Sequence, residues 1–215
     1  VCQVFAKSAQ LYGASIFEYT KVFRIQKQHD TFRIETTNGI VEAKRVVIAS
    51  GAWSTPFFQQ LGLKHEMTPV KGECIAVEGG NCLLKHTIFH DKYYIVPRNN
   101  GELVIGATMK ENDWSQQVSI DGIETLIQKA KALVPSIGQM NITATWSGLR
   151  PQTVDQKPII GQHPEDDAIF FATGHYRNGI LLAPATAEMI ANILLKREVN
   201  KQWIEAFQVN RLLRR

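Results

Sequence analysis

Residues 168–195 read AIFFATGHYRNGILLAPATAEMIANILL. An apolar run gives way to Gly174, His175, Tyr176, Arg177, Asn178 and Gly179, and then to apolar residues at helical spacing. The pattern predicts a buried strand, a tight turn bounded by glycines, and a helix. Glycine lets a backbone turn sharply and come close to a ligand. The helix would aim its free N–H groups and positive dipole end back at the turn, which suits a negatively charged group lying against the backbone. Pro184 is expected in the first helical turn, where its missing N–H costs little. Such corners occur throughout α/β proteins, so the rest of the chain decides what this one is for.

The 215 residues are 44% hydrophobic and 20% charged, the balance of an ordinary globular protein with material for a core. The length suits one large or two small domains. Net charge is +4, from 24 basic and 20 acidic side chains. Apart from Arg211, Arg214 and Arg215 the basic residues are spread along the chain, with no stripe interleaved with aromatics, so no nucleic-acid partner is expected. No apolar run is long enough for a bilayer and no signal pattern occurs, so no membrane partner is expected. Cys2, Cys74 and Cys82 form neither a CxxC pair nor a metal-binding spacing with histidine. The expectation is a reducing, cytoplasmic compartment and no metal. The chain opens at Val1 in what reads as the middle of a fold, as expected of a fragment or a processed chain.

Residues 1–14 read as a helix ended near Gly13, followed by an extended stretch. From residue 15 to residue 50 the period becomes two. Val22, Phe23 and Ile25 begin one strand, residues 31–36 alternate as a second, and Asn38-Gly39 is a hairpin signal leading to residues 40–43. Residues 46–49, apolar on both faces, are expected to be a buried strand of a parallel sheet ending at Gly51. A short helical patch is expected over 57–61. Strands are expected over 67–77, 86–90, 92–97 and 102–108. Residues 119–134 form an amphipathic helix with Ile120, Ile123, Leu126, Ile127, Ala130 and Leu133 on its apolar face. A strand over 142–147 closes with Gly148, Leu149, Arg150 and Pro151. The middle of the chain thus reads as a domain of several strands and one helix, inserted between two pieces of an α/β domain.

No GxSxG elbow, HExxH, Walker or GxGxxG motif is present, and no pair of carboxylates sits at an apolar strand end. The polar groups that stand out in apolar settings are Tyr94, Arg150, His175 and Arg177. Two guanidiniums and a phenol can clamp a carboxylate, and charge-assisted bonds of that kind contribute roughly 1.5–3 kcal/mol each. Arginines at strand ends equally serve in ion pairs or bind backbone carbonyls.

Six blocks in order carry a resemblance: VVIASGAWS (46–54), PVKGECIAV (69–77), HDKYYIVPR (90–98), GATMK (106–110), WSGLRPQTVDQKPIIGQHPED (146–166) and GHYRNGILLAPAT (174–186). Together they resemble the flavin-dependent amine and D-amino-acid oxidases, and within them the glycine oxidase branch of thiamine biosynthesis. The resemblance covers nearly the whole chain and places it in the C-terminal portion of such an enzyme. The dinucleotide-binding βαβ unit is expected to precede Val1. The implied fold is α+β. Residues 1–56 and 150–215 would be part of an α/β FAD-binding domain, and residues 57–149 a substrate-binding domain with a mixed or antiparallel sheet.

The resemblance also implies roles. Arg150 looks like the arginine that pairs with the substrate carboxylate, Tyr94 the phenol that bonds it, Arg177 a second arginine beside flavin and substrate, and Met109 a wall of the small substrate pocket. His175, Tyr176, Arg177, Asn178, Gly179, Ile180 and Leu181 look like the loop that passes the flavin. Val22 matches a backbone contact to the adenine portion and Gly51 the strand end beside the cofactor. Lys92 stands where the nearest relatives are expected to carry histidine, which puts any role of that position in doubt. The flavin is implied to be non-covalent, since the cysteine used by the sarcosine oxidases near the position of Arg150 has no counterpart. The implied reaction is FAD-dependent oxidation of glycine or another small amino acid by O2 to a 2-oxo acid (glyoxylate), ammonia and H2O2, in an enzyme that forms a tetramer in the family. Another D-amino-acid or sarcosine branch, and a fragment inactive without the FAD fingerprint, are the alternative readings.

Overall fold

A computed structural model of the chain describes residues 1–80 and 84–212. Cys82, Arg214 and Arg215 lie outside the described residues. Cys2–Leu11 (α1) is a helix with no buried residue. Val22–Gln28 (β1), Thr31–Thr36 (β2) and Gly39–Ala43 (β3) form an antiparallel meander. The chain then enters a second sheet at Val46–Ile48 (β4), passes through Thr55–Gln60 (α2), and returns to that sheet much later as Ile159–Gln162 (β11) and Ile169–Thr173 (β12). The order is β11-β12-β4, with β12 antiparallel to β11 and parallel to β4. The meander, α2 and these strands close on one core in which Ile25, Phe32, Phe58, Ile159 and Phe171 are buried.

Between β4 and β11 lies an antiparallel sheet. Its strands are Thr68–Glu78 (β5), Ile88–His90 (β6), Tyr93–Pro97 (β7), Leu103–Gly106 (β8), Lys110–Glu111 (β9) and Asn141–Gln152 (β10). The order is β10-β5-β8-β7-β6, with β9 beside β5. Ile120–Leu133 (α3) packs on one face and buries Leu126 and Ala130 against Ile75, Val77, Ile95 and Ile105. The Ser119 hydroxyl caps this helix, accepting from the Gly122 N–H at 3.0 Å. Gly179–Leu194 (α4) follows β12 and covers β11 and β12 through Met189 and Ile190; Lys201–Phe207 (α5) comes last. The molecule is α+β, as expected.

The structure departs from the sequence reading at several points. Strand β4 is buried on one side only: Val47 is 40% exposed, because α4 packs on β11 and β12 and leaves that face of β4 uncovered among the described residues. Ile120, assigned to the apolar face of α3, is 86% exposed, since the first turn sets Gly122, not Ile120, against Glu73 of the sheet. Residues 148–151 do not close β10 but continue it, paired with β5 as far as Gln152; an edge strand tolerates Pro151 because that N–H need not join the ladder. Pro184 lies inside α4, past its first turn, so it removes the donor that would pair with the Ile180 carbonyl. Strand β11 and helix α5 had no place in the sequence reading.

Phe171 is fully buried, with its ring centroid 5.1 Å from that of Phe58 and 6.2 Å from that of His163. Phe171→Ala is expected to lower stability by about 3–5 kcal/mol, read as a shift of the urea midpoint. A loss below ~1 kcal/mol would show that this core does not hold the two sheets together.

Candidate active site

Side-chain alternation divides the six-stranded sheet into two chemically different faces. Lys71, Glu73, Ile75 and Val77 of β5 point to α3. Gly72 and Cys74 point the other way, together with Arg150 of β10 and Tyr94 of β7. The ladder pairs Arg150 with Val70, Gly148 with Gly72, and Tyr94 with Gly106. The glycines make room. A Cβ on Gly72 would collide with the Arg150 guanidinium, and one on Gly106 would come within 2.5 Å of the Tyr94 hydroxyl and 2.8 Å of Cys74 Sγ. Arg150 and Tyr94 therefore lie flat over bare backbone, both half-buried. The Arg150 Nη1 donates to the Thr108 carbonyl at 3.3 Å, and the Tyr94 hydroxyl sits 3.6 Å from Cys74 Sγ.

The end of β10 runs straight into the 174–179 turn. Gln152 bridges His175, and the Tyr176 N–H donates to the Pro151 carbonyl at 3.0 Å. This pairing delivers the turn to the strand that carries Arg150. Gly174 takes φ +79°, and a Cβ there would come within 2.7 Å of Thr153. The second sharp bend is at Tyr176 (φ 50°), not at Gly179, so the turn is held by its pairing to β10 as much as by glycine. His175 Nε2 lies 2.9 Å from the Thr186 hydroxyl two turns into α4, which ties the turn to the helix. Asn178 provides no side-chain cap, so the first N–H groups of α4 stay available.

Gly51 stands at the carboxyl end of β4, beside the carboxyl end of β12: its carbonyl accepts from Ser54 at 2.8 Å and from Thr173 at 3.3 Å. Crevices at the carboxyl ends of parallel strands are the usual ligand positions in α/β sheets. Val22 lines a cavity of about 390 Å³ together with Val46, Val47, Ala49 and Ser50. A groove of about 530 Å³ on the other side of β4 runs past Val47, Ala172, His175 and Gly179 along α4.

Electrostatics bind Tyr94 to the arginines. Burial, then the neighbouring Cys74, push its phenol from 10.0 up to about 12; the positive charges of Arg150 and Arg177 pull against that rise, so both lie within electrostatic reach of the phenol. Burial likewise raises the Cys74 thiol, against the pull of Tyr94 and Arg150. Burial lowers the His175 imidazole, keeping it neutral near pH 7.

Of the residues singled out from the sequence, the structure brings Tyr94 and Arg150 to one face of the sheet, with Arg177 of the turn within electrostatic reach of the phenol; Gly51 stands at the strand ends, and Val22 lines a cavity whose walls include residues 46–50 but none of 174–181. Arg177, Asn178, Ile180 and Leu181 are exposed. Met109 is half-buried directly after Thr108, the residue that holds Arg150. Lys92 is exposed at the β6–β7 hairpin, two residues before Tyr94, with its ammonium over the Tyr93 ring at 5.6 Å. Gly72, Gly106, Cys74 and Thr108 went unnoticed. The signal that could have found Gly72 and Gly106 is an isolated glycine inside a strand pattern, which marks close approach; Thr108 had none.

An antiparallel sheet with an arginine and a tyrosine laid over glycines thus stands beside a strand–turn–helix crevice. The model of the FAD dependent oxidoreductase family matches residues 1–193. The chain belongs to that family. It is 51% identical over 211 residues to the glycine oxidase of Bacillus licheniformis, covering 98% of this chain and 57% of that protein. Against the glycine oxidase of Bacillus subtilis (strain 168) the identity is 48%, with the same coverage. The crystal structure of glycine oxidase from Geobacillus kaustophilus superposes with a TM-score of 0.93 at 40% identity, over 97% of this chain and 56% of that one. The chain thus spans somewhat over half the length of the relatives it matches.

A phenol held at about 12 does not ionise with ordinary tyrosines near 10.0. The folded state disfavours the phenolate, so the sign of the effect is a loss of stability as pH rises past the unfolded value. In a 295 nm titration, the difference between the native protein and Tyr94→Phe is expected to show no step near pH ~10 and to rise only toward ~12. A full step near ~10 would place Tyr94 in open solvent.

Proposed function

We infer that this chain supplies the substrate clamp and part of the flavin-contacting surface of an FAD-dependent oxidase acting on glycine or another small amino acid. The observation that carries this reading is the meeting of Tyr94 and Arg150 over bare glycines, within electrostatic reach of Arg177. Two positive groups and a neutral donor suit one small carboxylate. The high identity to several glycine oxidases supports glycine as the substrate.

The residues present fit a flavin. Open space lies within 4 Å of where a Gly51 Cβ would point, and α4 begins without a side-chain cap. FAD would be held by Gly51, the backbone of His175 to Leu181 and the cavity at Val22, without a covalent bond. Bound FAD supplies two-electron oxidation of the amine carbon. The chain's own residues do the rest. Arg150 pairs with the substrate carboxylate, Tyr94 donates its O–H to the same group, and Arg177 adds positive charge from the turn. Holding the carboxylate fixes the Cα–H and the amine relative to the α4 turn, which is the positional part of the catalysis. The N-terminal dipole of α4 stabilises negative charge developing at the turn. Met109 walls the site and limits substrate size.

Residues 1–56 and 150–215 form the flavin side in this reading and residues 57–149 the substrate side, with β10 crossing between them. The products are glyoxylate, ammonia and H2O2. The relative named bifunctional protein ThiO/ThiG in Synechocystis sp. (strain ATCC 27184 / PCC 6803 / Kazusa), 36% identical over 96% of this chain and 31% of that protein, supports a place in thiamine biosynthesis. A cytoplasmic tetramer completes the reading; no helix among the described residues is long and apolar enough to cross a membrane.

The test is peroxide release by the full-length protein with glycine, sarcosine and D-alanine. Turnover of glycine is expected; inert glycine beside an active bulky D-amino acid would overturn the assignment. Arg150→Ala is expected to raise KM at least ~10-fold, about 1.4 kcal/mol or more, with a smaller change in kcat. An unchanged KM would remove Arg150 from the site.

A further inference from the structure

The face of the sheet opposite the clamp holds a buried carboxylate engaged on both oxygens. Glu73 is fully buried. One carboxylate oxygen accepts from the Ser119 N–H at 2.7 Å and lies 3.3 Å from Lys71 Nζ. The other accepts from the Thr108 hydroxyl at 3.0 Å and lies 3.2 Å from Lys110 Nζ. Burial alone would raise this carboxyl; the bonds from Ser119, Thr108 and Lys110 overcome it and hold it at about 2. Lys71, also buried, is shared with Asp113 at 3.4 Å and Ser115 at 2.7 Å.

Thr108 is where this network crosses the sheet. Its hydroxyl accepts from the Glu73 N–H at 2.9 Å while donating to the Glu73 carboxylate, and its N–H donates to the Glu73 carbonyl at 3.2 Å. Its carbonyl faces the other way and accepts from Arg150 Nη1. Residue 108 is thus fixed by Glu73 on three sides, and the one remaining polar atom of its backbone is spent on the guanidinium. Nothing else among the described residues hydrogen-bonds the Arg150 side chain. With Gly72 offering no side chain to lean on, the direction of that guanidinium rests on where the Thr108 carbonyl stands.

We propose that Thr108, locked by the buried Glu73 carboxylate, is a positioning residue for Arg150 and so sets the affinity of the site for a carboxylate. It touches no substrate and acts through Arg150 alone. The proposal rests on Arg150 being the carboxylate-binding arginine, as argued above, and its test separates the two.

The variants are Thr108→Val, which keeps the shape and removes the hydroxyl, Thr108→Ser, which keeps the hydroxyl, and Arg150→Ala. Removing Glu73 itself would take the carboxylate from Lys110 and leave the buried Lys71 with Asp113 alone, endangering folding, so the hydroxyl is the gentler place to cut. In the full-length, flavin-loaded protein, acetate binding is titrated through the change in flavin absorbance, together with KM and kcat for glycine. Thr108→Val is expected to weaken acetate binding and raise the glycine KM by about tenfold, the effect of one charge-assisted bond misaligned. kcat at saturation is expected to change less than threefold, and Thr108→Ser to restore acetate affinity to within about twofold. If Arg150→Ala weakens acetate but Thr108→Val does not, the positioning role is overturned and the clamp stands. If Thr108→Val lowers kcat without touching acetate affinity, or if Thr108→Ser fails to rescue, the threonine is merely structural and the proposal falls. If Arg150→Ala leaves acetate affinity unchanged, the clamp reading falls and takes this one with it.

Discussion

The antiparallel ladder between β5 and β10 is the constraint on which the site depends. It runs from the pair Asn141–Glu78 to the pair Gln152–Thr68 with a single irregularity near Ile142. Because side chains alternate across a strand, this register decides which face every residue occupies. A slip by one residue would carry Arg150 to the helix-covered face and Ser147 to the clamp face. The long pairing, anchored by the α3 core at one end, makes that slip costly. The same ladder goes on to place the turn, since Gln152 bridges His175 and Pro151 accepts from Tyr176. One stretch of strand pairing therefore sets the arginine and the loop beside it, and the β5–β8 and β8–β7 ladders bring the phenol to the same face.

The two faces solve opposite electrostatic problems. On the α3 side a fully buried carboxylate is neutralised by two lysines and capped by two donors, so every lone pair is used. A buried ion pair of this kind contributes little net stability, because desolvation offsets the attraction, but removing one member leaves an uncompensated charge. Its consequence is rigidity of the segments it joins: β5, the 107–119 connection and the start of α3. On the clamp side the positive groups are left with spare donors. Arg150 has one protein acceptor among the described residues, and Arg177 is exposed. Satisfied charge under the sheet and unsatisfied charge above it is the arrangement expected where the upper set meets a ligand.

Much of this was legible in the chain. The blocks around Tyr94, Arg150 and the 174–179 turn were found from their residues, and helix α3, the Asn38-Gly39 hairpin and the strands of the central sheet follow from period and turn chemistry alone. What stayed hidden was long-range. Thr108 and Glu73 lie far apart in sequence, and nothing local says that a threonine hydroxyl meets a buried carboxylate on the next strand. Pro184 is expected in the first turn of a helix after Gly179, but the helix begins at Gly179 itself and Pro184 falls in its second turn. The exposed Val47 contradicts its own apolar surroundings, because a pattern of residues reports a preference for burial and not whether a neighbour supplies it.

That last discrepancy bears on the site. Val47, with Ala172, Gly179 and Ala183, lines a groove of about 530 Å³ whose walls are mostly apolar. An exposed apolar surface on a globular protein marks a place where something else packs. The groove and the clamp meet at His175, whose burial keeps it neutral and whose bond to Thr186 keeps its ring still. In the proposed reading, a polar end that fits a carboxylate and an apolar face that fits something large and flat are two halves of one site: the amino acid binds at the first and the cofactor, with whatever backbone covers it, at the second.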